Sequence, residues 1–428
     1  MTAIGIYSSV GLGFLATVVA TRELPSPQAF GDYATVLFAT AFFQSFFDLT
    51  VEEALVKYGF RYVTREDWGR LRRLFLGAFR FKLVGSALGA VGLLVFAVFA
   101  PSRLEVPLLL GAGIALGQSL EGLAGSVFYL RSRYDLRSFF LAWSMGLRLL
   151  GVAVGARYGV TEAVAGVLAA QIAATLSVGL AGWLVFRRYP AGTALSLGDD
   201  RREIVSFIAQ SSVATGVLSV RGSLAPLLLG SVTGTVQVAL FKVAQAPQSG
   251  FQALSAPARM VLLTEQTRDW ERGRQSAVLR GIRRYSLAAL VAAIVAIPPL
   301  IEWVPDLIRR INGPEYVGAT DAARLLILAA GVQLVFGWTK SFPVTIGRPG
   351  LRIWTHGLET VIVLPLVVVF GIYWGAAGAA GAILVGVCVF ALAWTIVFVR
   401  MKPEDVHEPA PLDETLADAE AEAGVLVR

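Results

Sequence analysis

The sequence predicts an all-α, polytopic membrane protein of about twelve transmembrane helices, arranged as two six-helix lobes. Three observations predict this fold: the chain is short of charge, its basic residues alternate between two sides, and its halves share a register. The 428 residues are 56% hydrophobic and 16% charged, with a mean hydropathy of +0.66. A soluble globular chain carries about 25% charged residues, so the composition indicates a membrane protein.

The apolar residues form runs of about 20 or more, the length that a helix needs to cross the hydrocarbon core. The last run is too long for one span, and YWGAAG at Tyr373–Gly378 divides it into two. The predicted spans are about 2–21, 30–55, 75–100, 106–130, 138–157, 162–186, 204–229, 236–262, 279–301, 318–341, 352–373 and 376–399.

The distribution of Lys and Arg predicts the orientation. When successive loops are assigned to alternate sides of the membrane, 23 basic residues lie on one side and five lie on the other. The five are Arg22, Arg103, Arg157, Arg309 and Arg310. Cytoplasmic loops carry the excess of Lys and Arg, so we expect both termini on the cytoplasmic side of the cell membrane. The net charge of +7 is then a topology signal, and no nucleic-acid partner is predicted.

The two halves of the chain resemble each other. With a constant offset of 215 residues, Tyr158 matches Tyr373 and Gly166 matches Gly381. The basic stretches TREDWGRLRR and TRDWERGRQ begin at Thr64 and Thr267, an offset of 203, and are interpreted as equivalent connections of spans 2–3 and 8–9. The longer external connection at Glu302–Ala319 accounts for the difference of about 12 residues. Two halves that start and end on the same side form a parallel repeat, and such halves commonly enclose a substrate path.

The repeat predicts the domain boundaries. Residues 1–190 form the first lobe, 191–203 a cytoplasmic linker and 204–400 the second lobe. Residues 401–428 are acidic and rich in Pro and Ala, so they are predicted to be a disordered cytoplasmic tail.

Ionisable residues inside a membrane are costly and mark candidate sites. Counting along the helices places Arg221, Lys242 and Arg324 at one depth toward the outer side, with Gln245 on the face of Lys242. Three cations with few acids nearby suit an anionic ligand such as a diphosphate, which guanidinium binds well. The alternative is that Lys242 and Arg324 extend to the outer headgroups.

Span 2 carries a second candidate group, because Gln44, Asp48 and Glu52 share one helical face. Asp48 is the deeper acid, and it suits a cation or proton, or a basic partner in the facing half. Glu52 lies near the cytoplasmic border, where its carboxylate can reach water.

Other polar residues favour structural interpretations. Arg148 is expected to pair with Glu121, and His356 with Glu359 to make a polar contact near the cytoplasmic surface. No metal or cofactor is predicted, because these two residues lack further ligands. Cys388, the single cysteine, is expected to be buried. Without a GxxxxGK[ST] loop, a Gly-x-Ser-x-Gly element or long external loops, the chain is not predicted to be an enzyme.

Three stretches together resemble the flippases of polysaccharide biosynthesis that move lipid-linked oligosaccharides, within the multidrug/oligosaccharidyl-lipid/polysaccharide exporter superfamily. They are RELPSPQAFGDYATVLFATAFFQSFFDLTVEEALVKYG, GPEYVGATDAARLLILAAGVQLVFG and IGRPGLRIWTHGLETVIVLPLVVVFGIYWGAAGAAGAILV. The resemblance covers residues 1–400 and rests on the order and spacing of loose motifs. One departure is that the chain lacks the short cytoplasmic lead-in before span 1.

The resemblance implies a central cleft lined by spans 1, 2, 7 and 8, which opens alternately to each side. The implied cargo is an undecaprenyl- or dolichyl-diphosphate-linked sugar, whose phosphates are held by basic cleft residues. Arg221 and Lys242 lie on cleft spans, whereas Arg324 lies on span 10. Membrane lipids and other polysaccharide-assembly proteins are the expected partners. The alternatives are a cation-coupled antiporter of small molecules, with Asp48 as its coupling acid, and a membrane enzyme of glycan assembly.

Overall fold

The computed structural model describes residues 2–47, 51–254, 266, 269–270, 274–340, 342–346 and 350–400. The predicted tail at 401–428 therefore lies outside the described residues. The described chain is helical almost throughout and contains no strand. The all-α fold class is confirmed.

The first lobe begins at the amino terminus and ends before the linker. Its helices are α1 (Thr2–Glu23), α2 (Pro27–Phe47), α3 (Val51–Thr64), α4 (Trp68–Val98), α5 (Ser102–Leu130), α6 (Tyr134–Gly155) and α7 (Val160–Phe186). Predicted span 2 corresponds to α2 together with the start of α3.

The second lobe repeats this arrangement after the linker. Its described α-helices are α8 (Asp200–Thr233), α9 (Thr235–Leu254), α10 (Gln275–Ile311), α11 (Thr320–Val335), α12 (Phe342–Thr345) and α13 (Gly350–Arg400), with 3-10 turns at Pro314–Ala319 and Gly337–Lys340. Helix α13 contains two passes, because Gly375 interrupts it with φ 56° and ψ −133°. The predicted break at YWGAAG is confirmed.

The helix surfaces match a bilayer environment. Seven helical segments of the described chain are long and apolar enough to cross a membrane, and one of them holds both passes of α13. On α4, the side chains of Val84, Val91 and Val95 follow one face and are each more than half exposed. Such stripes suit contact with lipid tails, and the protein is a multi-pass membrane protein. Cys388 is also exposed, so its predicted burial is wrong.

Equivalent helices pack in the same way in both lobes. The pair α1–α6 corresponds to α8 with the first pass of α13, and α4–α5 corresponds to α10–α11. Glycine allows one close crossing in each lobe, between Gly155 and Ala163 and between Phe370 and Gly378. Positions 370 and 378 are each 215 residues beyond 155 and 163, so the packing follows the register of the sequence repeat.

The two lobes meet at one end, which we name the outer face and define by the turns at 24–26 and 234. Arg22 Nε donates to the Ile311 carbonyl at 2.8 Å, and Asn312 Nδ2 donates to Thr21 Oγ1 at 3.1 Å. The rings of Phe30 and Tyr316 pack edge to face, with centroids 5.8 Å apart. These contacts, the outer seam, join the lobes on the side predicted to be external.

The opposite end, the inner face, is defined by the turns at 65–67 and 131–133. Here the start of α8 packs on α3: Tyr62 donates to Asp200 at 2.9 Å, and Arg61 pairs with Glu203 at 3.1 Å. Helix α8 thus begins at Asp200, within the predicted linker. The linker lies against the first lobe, because Leu195 N donates to the Gly69 carbonyl at 3.1 Å.

Candidate functional site: polar groups inside the lobes and between them

Lys242 lies where the lobes meet. Helix α9 packs against α2, and the Lys242 ammonium lies 4.9 Å from the centroid of the Phe38 ring. Among the described residues, no carboxylate is within ion-pair distance of it. Lys242 is half-buried, and so is Gln245, one turn further along α9. The arrangement places an ammonium without a carboxylate partner in the described chain at the lobe interface.

Arg221 belongs to a different cluster, inside the second lobe. Its guanidinium pairs with Glu359 on α13, whose carboxylate also contacts His356 Nδ1 at 3.2 Å. The Glu359 side chain is 4% exposed, and the His356 ring stacks on Phe390 with centroids 4.9 Å apart. The predicted His356–Glu359 contact is confirmed, and Arg221 is its third member.

Arg221, Lys242 and Arg324 lie at different distances from the outer ends of their helices. Helix α8 begins at Asp200, before the predicted start of the span at residue 204. Its first turn packs against α3. Arg221 is 12 residues from the helix end at Thr233, about 18 Å along the helix axis. Lys242 and Arg324 lie seven and four residues from the outer ends of their helices, about 10 and 6 Å. The three distances from the outer helix ends therefore differ, and the common depth stays a prediction.

Arg324 faces away from the lobe interface. Its guanidinium pairs with Asp321 on its own helix at 3.5 Å and donates to the Ile301 carbonyl of α10 at 3.4 Å. Lys242 instead contacts α2, and Arg221 contacts α13. In this conformation each of the three cations therefore contacts a different helix.

The first lobe holds its own buried polar cluster. Ser144 and Arg148 of α6, Glu121 of α5 and Gln171 of α7 form it. Gln171 Oε1 accepts from Arg148, while its Nε2 donates to Glu121 at 3.2 Å. The predicted Arg148–Glu121 pair is therefore bridged by Gln171, because the two charged residues project from different helices on either side of it. Ser144 and Glu359 are equivalent in the repeat, but the first cluster joins α6 to α5 and α7, whereas the second joins α13 to α8.

The structure describes two of the three candidate residues of span 2, and these two have different surroundings. Asp48 lies outside the described residues, and Gln44 is half-exposed on α2 near the backbone of Gly89. Glu52 pairs with Lys82 of α4 at 2.7 Å. Sequence reasoning missed Lys82, whose side chain is 1% exposed. The sequence does place Lys82 seven residues inside predicted span 3. A charge buried there requires a partner, and this could have identified the residue.

Comparison with known proteins identifies the fold. No protein-family model matches the chain, and no curated protein matches it. An inward-facing MATE multidrug resistance transporter of the MOP superfamily is 14% identical, with 92% of this chain and 95% of that one covered and a TM-score of 0.66. The lipid II flippase MurJ, in an inward closed conformation, is 12% identical, with 94% and 88% covered and a TM-score of 0.73.

A third solved structure is a MOP superfamily transporter from Pyrococcus furiosus, whose binding pocket is described as having reverse polarity that suggests a different function. It is 12% identical, with 95% of each chain covered and a TM-score of 0.61. These similar structures are transporters. At such identities the likeness concerns the fold, and the chain has the two-lobe helical fold of MOP-superfamily transporters.

Proposed function

We propose that the chain is a flippase that translocates a polyprenyl-diphosphate-linked oligosaccharide by alternating access. The observation that carries the proposal is the Lys242 ammonium at the lobe interface, without a carboxylate partner in the described chain. A cation in a site of low polarity attracts phosphate more strongly than it does in water. The proposal places the cargo phosphates between the lobes and its lipid tail in the bilayer.

The charge of the interior favours an anionic cargo over a cationic one. Arg148, like Lys242, makes no ion pair with a described carboxylate; its guanidinium is held by an amide oxygen. Two buried acids that the structure describes are engaged, Glu121 with Ser144 and Gln171, and Glu359 with Arg221 and His356. A transporter of cationic drugs would instead need an accessible acid.

Arg221 has a role that depends on conformation in this proposal. It is paired with Glu359 here, and the cargo diphosphate would compete with that carboxylate when the cleft rearranges. Gln245 would donate to sugar or phosphate oxygens beside Lys242. Arg324, the remaining predicted site residue, is expected to contribute least, because Asp321 and the Ile301 carbonyl already engage it.

The test measures translocation of a fluorescent polyprenyl diphosphate in proteoliposomes, from its protection against a membrane-impermeant quencher. Lys242→Gln should slow translocation about tenfold, the effect of losing one charge-assisted hydrogen bond, while Lys242→Arg should retain it. Arg157→Gln is the matched control, since Arg157 is an exposed cation of the outer face paired with Glu23 at 3.5 Å.

Two outcomes would favour the alternatives. Proton-driven uptake of ethidium, abolished by Asp48→Asn but unaffected by Lys242→Gln, would indicate the small-molecule antiporter. Chemical conversion of a purified lipid-linked sugar would indicate the membrane enzyme. Reconstitution with labelled termini also tests the proposed orientation, in which both termini are cytoplasmic.

A further inference from the structure

The inner face of the first lobe contains a cavity that is distinct from the Lys242 interface. It has a volume of about 510 Å³ and lies between α3, α5 and α6. We name it the inner cavity; its charged lining residues are Glu52, Glu53, Lys57 and Arg137. Small-molecule sites typically occupy about 300–1,000 Å³, so a lipid headgroup fits this space.

Two glycines on one face of α5 create the room. A Cβ at position 122 would collide with the Glu52 carboxylate, and one at position 125 would lie 2.6 Å from the Arg137 guanidinium. With glycine at both positions, Glu52 and Arg137 lie directly against the helix backbone.

One acid of the inner cavity is paired with a lysine, whereas neither of the two cations lies within ion-pair distance of a described carboxylate. Glu52 is paired with the buried Lys82 at 2.7 Å, which leaves the exposed Glu53 as the second acid. The Arg137 guanidinium has no hydrogen bond or ion pair with any described residue, its Nε is buried, and it lies 5.7 Å from the Tyr129 ring. Lys57 lies 4.4 Å from the Phe207 ring and forms no ion pair in the described chain, although its charge contributes, after the hydrogen bonds from Arg61 and Tyr58, to the lowered pKa of Glu203.

We propose that the inner cavity binds the phosphate group of a membrane lipid, with Arg137 as the main ligand and Lys57 as the second. Guanidinium offers two parallel donors that match phosphate oxygens, and the buried Arg137 Nε has no hydrogen-bond partner among the described residues. The proposal uses none of the residues assigned to cargo translocation, so the two stand or fall separately.

The surroundings place the inner cavity at headgroup depth. The rings of Tyr129 and Tyr134 meet at the α5–α6 turn with centroids 6.0 Å apart, and Phe139 stacks on Trp143 at 6.1 Å on the exposed face of α6. Aromatic residues concentrate where the membrane meets water. A phosphate in the cavity can therefore remain attached to a lipid whose tail stays in the bilayer.

The test is native mass spectrometry of the full chain with three probes: undecaprenyl phosphate, phosphatidylglycerol and soluble pyrophosphate. We expect Arg137→Gln to weaken lipid binding about tenfold and Arg137→Gln with Lys57→Gln about a hundredfold. Arg137→Lys should retain most of the binding. Glu53→Gln should strengthen it, because the change removes a repelling charge.

Arg133→Gln is the matched control. Arg133 lies four residues before Arg137, and its replacement by Gln removes the same charge. Its guanidinium is already paired with Asp135 at 2.7 Å, so lipid binding should stay within about twofold. Lys242→Gln should likewise leave this binding intact. If pyrophosphate binds as tightly as the lipids, the result would support an anion site whose phosphate comes from a soluble ligand.

The proposal is overturned if Arg137→Gln and Arg133→Gln bind lipid equally well, or if spermidine occupies the cavity in competition with the lipid. Thermal unfolding of each variant separates a lost ligand from a lost fold. Unchanged melting together with unchanged lipid affinity in Arg137→Gln counts against the site.

Discussion

At the residue scale, the second lobe depends on a charge pair that the membrane interior makes costly to break. Arg221 and Glu359 lie on different helices and are 19% and 4% exposed. A buried ion removed from its partner is strongly destabilising, whereas loss of both partners together is tolerated far better. His356 contacts the same carboxylate oxygen, so Glu359 holds two basic groups.

Glu359→Gln should therefore lower the free energy of unfolding by about 3 kcal/mol, because the Arg221 guanidinium loses its counter-ion. Arg221→Met with Glu359→Met should cost clearly less. The measurement is thermal and denaturant unfolding in detergent. Equal losses in the single and double variants would show that the pair is not coupled.

Gln171 is the central residue of the buried polar cluster in the first lobe. Its side chain is completely buried and joins Arg148 to Glu121. Gln171→Leu should destabilise the protein by about 2 kcal/mol, the cost of leaving buried polar partners unsatisfied. Gln171→Glu should also destabilise the protein, because it keeps the acceptor for Arg148 but replaces the donor to Glu121 with a second carboxylate. The same unfolding measurements apply, and unchanged stability of Gln171→Leu would contradict the bridging role.

At the element scale, α8 connects the lobes. Its start is held by α3 at the inner face, and its outer half packs against α2 and α13. The hydrogen bond from Arg61, and then that from Tyr58, lowers the pKa of Glu203 below its usual range. A lowered folded-state pKa stabilises the contact above the unfolded-state pKa, and this stabilisation is lost as the pH falls through the lowered value. The contact therefore persists at neutral pH.

Asp200→Asn with Glu203→Gln should release the start of α8. Solvent-exposed ion pairs contribute weakly to stability, so amide hydrogen exchange in residues 200–208 should rise only several-fold at neutral pH. In the wild type, the same rise should occur only in acid. Glu105→Gln, an exposed acid of the outer face, is the control. Unchanged exchange in the double variant would show that apolar packing alone holds this end.

At the scale of the whole molecule, the outer seam determines which end of the lobe interface is closed. Gly31 is central to it, because a Cβ at this position would collide with the Thr235 carbonyl across the interface. The Phe30–Tyr316 contact and the Arg22 hydrogen bonds lie beside it. The close approach of α2 and α9 that presents Lys242 to Phe38 also depends on this glycine.

Gly31→Ala should separate the lobes at the outer face and favour conformations open on that side. Spin labels at Tyr158 and Arg309, in a background where Cys388 is replaced by Ala, should report a longer distance. Gly11→Ala is the control, since nothing lies within 4 Å of a Cβ there. An unchanged distance distribution in Gly31→Ala would contradict this role of the seam.

Much of this architecture was accessible from local pattern. The span lengths, the break at Tyr373–Gly378 and the 215-residue register all come from periodicity and composition, which act along the chain. Helix ends were less accurate: α8 begins at Asp200 because its first turn binds Tyr62 and Glu203 binds Arg61. Those partners are more than 100 residues away in sequence, and no local signal reports them.

The sequence by itself determined that this protein crosses the membrane repeatedly as two related helical lobes, because hydrophobic length and charge bias act locally on each segment. Only the tertiary structure decided the partners of the buried charges: Arg221 with Glu359, Arg148 with Gln171, and Lys82 with Glu52. It also separated Arg324 from Lys242 and opened the inner cavity beside Arg137. These outcomes depend on the rotation and offset of neighbouring helices, since a charge in low dielectric selects whichever partner packing brings within reach.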